Sequence, residues 1–327
     1  MFKYDVVGVG NAIVDILAKV EDDFLKKHSL TKASMTLVDE TEAYTLYDDM
    51  PPAVEKSGGS AANTLAGIAS FGGKAAFIGK VKDDELGAIF GHDLRSIGVH
   101  YETLPSASGA ATAKCLIAIT PDAERTMCTF LGATKEITKD DINENTIASA
   151  KVTYLEGYLW DEPHAKDAMR QAVDIARKNE RKVALSLSDA FCVDRHRGEF
   201  LALIKEGVDI LFSNEAEVKC LFETEDFDDC IEKIKDYADI VAITLGAKGS
   251  IVIHGDNITK IQATKGLKVV DTTGAGDLYA SGFLYGYTNG YNFEQCGKMA
   301  NLAASNIIQH VGARPESKLS DLIKDAA

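Results

Sequence analysis

Three things are scarce in this chain: paired cysteines, long apolar runs and excess positive charge. The six cysteines, Cys115, Cys128, Cys192, Cys220, Cys230 and Cys296, form no Cys-x-x-Cys pair, which argues against zinc and against a disulfide framework and leaves reduced thiols. No window reaches the apolar length of a membrane span, and the opening Met-Phe-Lys-Tyr-Asp lacks the basic-then-apolar pattern of a secretory signal. The sequence therefore predicts a soluble, cytoplasmic protein with no membrane partner. The 35 Lys and Arg are outnumbered by 50 Asp and Glu, for a formal net charge of −15. That balance opposes polyphosphate backbones, so no nucleic-acid partner is expected. A small phosphorylated ligand stays compatible, because a helix N-terminus, a few cations and Mg²⁺ can reverse the field locally. The acidic run at 223–229 reads as a solvated loop and helix start.

What the chain does have is apolar mass. With 327 residues, 46% of them hydrophobic, it can bury a large core in one α/β domain with an appendage or in two domains. An apolar run at 6–10 reads as a buried strand. Its Gly8-x-Gly10 begins a dinucleotide-binding fingerprint, but the third glycine would fall at Ile13 and no helix pattern starts there. From 151 to 267 strands and helices alternate: strands near 152–155, 183–187, 209–212 and 240–244, helices near 165–178, 200–205 and 216–222. This rhythm predicts parallel strands with helices on both faces of a sheet, and ligands bind beyond the carboxyl ends of such strands. The short runs 34–38, 112–120 and 125–131, the last two joined by the turn Pro121-Asp122-Ala123-Glu124, do not alternate with helices. They predict a small, mostly antiparallel element that acts as a lid.

Several stretches carry chemistry, and each has a plain structural reading beside it. Val269 to Asp277 places an apolar strand end, two threonines, two glycines and a carboxylate before a helix-compatible run from Leu278. Bare backbone N–H groups at a helix start make an anion site; alternatively Thr272 or Thr273 caps the helix and Asp277 complements its dipole. Asp15 sits among branched apolar residues, where it either points to solvent from an edge strand or receives hydrogen bonds from sugar hydroxyls. Ser57-Gly58-Gly59-Ser60-Ala61-Ala62-Asn63 allows backbone to approach a ligand, or is a loop with Ser60 as N-cap and Gly72 as C-cap. Asn214 and Glu217 fit a capping box, and their oxygens also suit water-mediated Mg²⁺. Trp160, Asn214 and Gly246 fall just after strand ends.

Taken in order, Asn11, Asp15, Gly58-Gly59, Asn63, Asn214-x-x-Glu217 and Asp271-Thr-Thr-Gly-Ala-Gly-Asp277 resemble the ribokinase-like (PfkB) family of carbohydrate and nucleoside kinases over nearly the whole chain. The absence of a Gly-x-x-x-x-Gly-Lys-Ser/Thr loop separates it from P-loop kinases. The resemblance implies an α/β fold, a three-layer α/β/α sandwich with a mostly parallel central sheet and a small β-sheet lid. It divides the chain into a large catalytic and ATP-binding unit (1–10, 46–105 and 132–327) and the lid (11–45 and 106–131). It makes Asp277 the base for a primary hydroxyl and the N–H groups of Gly274, Ala275 and Gly276 the anion hole, with Arg125 reaching in from the lid to stabilise the moving phosphoryl group; by itself Arg125 reads equally as a surface ion pair on a hairpin. Asn11, Asp15, Gly58, Gly59 and Asn63 are implied to bind the acceptor, with Trp160 near its base. Asn214, Thr244, Gly246, Gly249 and Asn301 are implied for ATP, Glu217 for Mg²⁺ through water, and Asp271 with Thr273 for a monovalent cation such as K⁺. The implied ligands are thus ATP, Mg²⁺ and a small-molecule acceptor, and the chain is expected as a monomer or as a homodimer through the lid. Within the family, Gly10-Asn11-x-x-x-Asp15 and Gly58-Gly59-Ser60-x-x-Asn63-Thr64 are most similar to adenosine kinases, whereas Gly157-Tyr158-Leu159-Trp160 departs from their usual aromatic pair. A ribose or fructose kinase is the alternative acceptor reading. A non-catalytic nucleotide or sugar sensor on the same fold, and a dehydrogenase resting on Gly8-x-Gly10 alone, are the alternatives of other classes.

Overall fold

The computed structural model describes residues 2–122 and 124–323, in which two sheets meet. The strands in chain order are β1 (Tyr4–Val9), β2 (Ile13–Lys19), β3 (Met35–Leu37), β4 (Val54–Gly58), β5 (Ala75–Ile78), β6 (Val99–Tyr101), β7 (Ala113–Ile119), β8 (Arg125–Phe130), β9 (Ala150–Glu156), β10 (Lys182–Ser186), β11 (Ile210–Asn214), β12 (Ile240–Thr244), β13 (Ser250–His254) and β14 (Asn257–Ile261). The large sheet has the order β14-β13-β12-β11-β10-β9-β1-β5-β6. It is parallel from β12 across to β6, and only β13 and β14 are antiparallel. Both its faces are covered. Val7 and Val9 of β1 belong to one apolar cluster and Val6 to another, as expected of a sheet sandwiched between helices.

The small sheet has the order β3-β8-β7-β2-β4 and corrects the sequence reading in two ways. It is evenly mixed: β2 runs parallel to β7 and β3 to β8, while β2–β4 and β7–β8 are antiparallel. It also takes in β4, from the 46–105 stretch that was expected in the large unit. The hairpin of β7 and β8 is present, but Ala123 of its expected turn lies outside the described residues. No strand leads into the Asp271–Asp277 motif. Val269 and Val270 are exposed, and the N–H groups of Val270 and Asp271 donate to the carbonyl of Ile308 just after the helix Phe293–Ile307. No helix among the described residues is long and apolar enough to cross a membrane.

Two helices bring the later chemistry together. Ser60–Phe71 follows β4, and Ala275–Thr288 follows the motif. They pack closely because Gly67 has no side chain: a Cβ there would lie 2.6 Å from the Cβ of Ser281 and 2.8 Å from Leu278 Cδ1. Gly67→Ala should therefore lower stability by about 1–3 kcal/mol through overpacking, even though alanine favours the helix. Urea unfolding would register this as a lower midpoint with an unchanged slope, and a midpoint at or above that of the parent would refute the close-packing account.

Candidate active site

The carboxyl ends of the parallel strands supply the floor of the site. β1 leads to Asn11, β9 ends in Glu156, β11 in Asn214 and β12 in Thr244. Glu156 is almost fully buried, and its carboxylate accepts from the Asn11 N–H, from Asn11 Nδ2 and from the Ala61 N–H at the start of the Ser60–Phe71 helix. Burial raises its pKa to about 7 against the pull of those donors. Asn11 Oδ1 in turn accepts from Thr134 Oγ1. Asn11 is thus a brace under the acceptor side of the cleft. Glu156 escaped the sequence reading because it ends an otherwise apolar strand, and nothing in its spacing marks it.

Asp277 lies in the first turn of its helix and is held by that neighbouring helix. Ser60 Oγ donates to Oδ1 at 2.6 Å and Asn63 Nδ2 to Oδ2 at 3.0 Å. Burial raises its pKa, while the two donors and the charge of Arg314 oppose the rise. Asn63 Oδ1 is buried with no hydrogen-bond partner among the described residues, which leaves it free to accept from a ligand hydroxyl. The anion loop differs from expectation in one detail. Gly274 adopts φ +78°, and the Ala275 N–H turns back to the Thr272 carbonyl. The first intrahelical bond runs from Leu278 to Gly274, so the Gly276 and Asp277 N–H groups belong to the open first turn.

Asp15 is not on an edge strand. β2 lies between β7 and β4, and Asp15 lines a cavity of about 480 Å³ with Ser57, Arg125, Thr273, Gly312 and Arg314. Gly58, opposite Ile13 in β4, gives its carboxylate room, since a Cβ at Gly58 would overlap the Asp15 carboxylate. Gly59 follows as N-cap of the Ser60–Phe71 helix. Burial raises Asp15 to about 6, and Arg314 and then Arg125 pull it back.

Arg125 Nη1 pairs with Asp271 Oδ2 at 2.7 Å and donates to Thr273 Oγ1 at 3.2 Å, joining the small sheet to the motif. Asp271 also accepts from the N–H and Oγ1 of Thr273 and from the Gly312 N–H. With a guanidinium and three further donors on it, this carboxylate is fully engaged, which does not suit the monovalent cation expected at Asp271 and Thr273.

On the nucleotide side, Asn214 and Glu217 form the full capping box. Burial, with the nearby charge of Asp189, raises Glu217 to about 7 against the donors of Asn214 and Ser213. Among the described residues no group of three or more His, Cys, Asp or Glu is placed to hold a metal. Asp189, whose charge acts on Glu217, caps the helix that follows it through the Cys192 N–H. Thr244 pairs with Asn214 across β11 and β12, and Gly246 and Gly249 bound the turn into β13. Asn301 faces inward instead. Its Oδ1 accepts from Ser250 Oγ and its Nδ2 donates to the carbonyl of Gln262, which fastens its helix to β13 and β14. Trp160 is also placed elsewhere: it is fully buried against Phe200, with Nε1 donating to Glu199. Tyr158 is the aromatic of that segment nearest the site, its phenol raised by burial and by the charges of Asp189 and Asp277.

This geometry has counterparts. The pfkB family carbohydrate kinase model matches residues 33–319. The chain belongs to that family. It is a phosphotransferase with an alcohol group as acceptor, as its pfkB relatives are, and the ribokinase-like fold expected from the sequence is the one observed. An adenosine kinase from Sinorhizobium meliloti is 50% identical with a TM-score of 0.92, covering 99% of this chain and 100% of that one. A probable sugar kinase from Rhizobium etli CFN 42 is 49% identical with a TM-score of 0.93, covering 100% and 99%. A 5-dehydro-2-deoxygluconokinase from Listeria innocua is 28% identical over 98% of this chain and 95% of its own. The pfkB family implies ATP as phosphoryl donor.

The Ser60 hydroxyl and the Asn63 amide favour the charged form of Asp277 against the effect of burial. Removing the first with Ser60→Ala should raise the Asp277 pKa further, because a donor to the carboxylate is lost while burial stays. Carboxyl ¹³C titration of the side chain would report the shift, and a fall would contradict the assignment.

Proposed function

We propose that this chain transfers the γ-phosphoryl group of ATP to the primary hydroxyl of a ribonucleoside, adenosine first. The observation that carries the reading is a pair of buried carboxylates within electrostatic reach of each other: Asp15, which lines a cavity with Arg125, Thr273 and Arg314, and Asp277 at a helix N-terminus. The 50% identity with the Sinorhizobium adenosine kinase over both full lengths supports the acceptor. The Rhizobium probable sugar kinase is as similar, so a free sugar is the second reading.

In this mechanism Asp15 and Asn63 Oδ1 accept hydrogen bonds from the acceptor's ring hydroxyls. Asp277 takes the proton of the primary hydroxyl as that oxygen bonds to the γ-phosphorus. The bond from phosphorus to the β–γ bridging oxygen breaks, and ADP leaves with its electron pair. The Gly276 and Asp277 N–H groups and the positive end of the helix face the charge that spreads over the phosphoryl oxygens. Glu217 and Asn214 would hold Mg²⁺ through water, and the ion would supply charge neutralisation at the phosphates. The fold does no covalent chemistry; it positions and desolvates.

Three measurements test this. An acceptor screen with adenosine, inosine, cytidine, ribose and fructose should give ADP release fastest with adenosine, and a preference for a free sugar would replace the nucleoside reading. Asp277→Asn should lower kcat by about 10²- to 10⁴-fold while ATP binding persists; undiminished turnover would remove Asp277 from the chemistry. Because Asp277 and Asp15 must both be charged and both are raised by burial, activity should fall as pH drops through about 6, above the ordinary carboxylate range.

A further inference from the structure

Arg314 was not marked by any sequence motif, yet it borders both the cavity that holds Asp15 and a second one, of about 750 Å³, behind it. Its Nη2 makes one long hydrogen bond, 3.3 Å, to Ser57 Oγ. Its Nε and Nη1 are buried with no hydrogen-bond partner among the described residues. Leaving such donors unpaired is costly, and the groups within electrostatic reach are Asp15, Asp277 and Asp93. Asp93 is already engaged by the Ser57 N–H. The segment just before Arg314 is tied to the anion loop. The Gly312 N–H donates to Asp271, and a Cβ on Gly274 would lie 2.7 Å from the Ala313 Cβ. The other arginine of the cleft differs in this respect: Arg125 is committed to Asp271 and Thr273, and only its Nη2 is buried without a partner.

From this placement we propose that Arg314 is a catalytic residue, a second arginine whose free Nε–H and Nη1–H grip oxygens of the phosphoryl group as it passes from ATP to the acceptor. Arg314 transfers no proton. The acceptor's proton goes to Asp277, the new oxygen–phosphorus bond forms as the old one to ADP breaks, and the guanidinium only neutralises charge on the oxygens between them. Arg125 belongs to the small sheet, whereas Arg314 is anchored beside the anion loop, so its charge is in place whichever acceptor enters. This deepens the proposed kinase reaction and rests on it, but not on the identity of the acceptor.

The test uses the full chain with whichever acceptor the screen selects, so a failed adenosine reading does not touch it. Arg314→Gln should lose about 10²- to 10³-fold in kcat, the range seen when one charge-stabilising donor is removed, with the acceptor KM within about threefold. Added guanidinium should restore at least a tenth of the loss in the variant and nothing in the parent. If the loss appears only in the acceptor KM, or if kcat is unchanged, Arg314 merely orients Asp15 and the proposal fails. Should Arg314→Gln not fold by circular dichroism, Arg314→Lys is read instead by calorimetry. It should bind ADP with aluminium fluoride and acceptor at least tenfold more weakly than the parent but ADP alone equally well, and equal weakening of both would overturn the proposal.

Discussion

The cleft depends on one buried carboxylate, that of Asp277, and on the donors that favour its charged form. Burying a carboxylate is expensive unless donors meet it, and here the donors come from another helix. Ser60 and Asn63 reach Asp277 only because the helices Ser60–Phe71 and Ala275–Thr288 nearly touch at Gly67. The first of these helices is itself held by a second buried carboxylate, since Glu156 receives the Ala61 N–H and both donors of Asn11. Small residues, close helices and braced carboxylates are therefore one requirement expressed at three levels.

The join between the sheets obeys a related rule. A buried ion pair such as Arg125 with Asp271 adds little net stability after its desolvation cost, so its value lies in position. It fixes where the small sheet meets the motif, and with the Thr273 and Gly312 donors it saturates Asp271. The same economy explains the capping box of Asn214 and Glu217. Its hydrogen bonds satisfy a helix start, while burial still raises the Glu217 pKa to about 7.

Much of this was legible in the sequence, for physical reasons. Fully buried parallel strands write themselves as apolar runs, and Ile240–Thr244 was placed to the residue. Asp15, Asn63 and Asp277 stood out because polar groups in apolar or glycine-rich settings need an explanation. Other parts left no local trace. Val54–Gly58 is a strand of largely polar, half-exposed residues that only its partner β2 defines. Val269 and Val270 are apolar by type but carried by a loop whose backbone bonds go to Ile308. The indole of Trp160 has its partner in Glu199, distant in sequence, and that contact draws it into the core. Glu156 and Arg314 carry no local mark in the sequence, and only the fold brings them within electrostatic reach of Asp277.

The order in which the chain leaves the ribosome gives the close approach of the two helices a different meaning. Ser60 and Asp277 are 217 residues apart, and the parallel pairing of β2 with β7 also waits for distant sequence. Contacts of such long range are slow to form and cannot precede the synthesis of both partners. The strands that frame the cleft are made long before the base and the anion loop, which arrive in the last sixth or so of the chain. A nascent or truncated polypeptide therefore lacks both the reaction centre and the Thr273, Gly312 and Arg314 wall of the Asp15 cavity, and ATP is not turned over until the fold is complete.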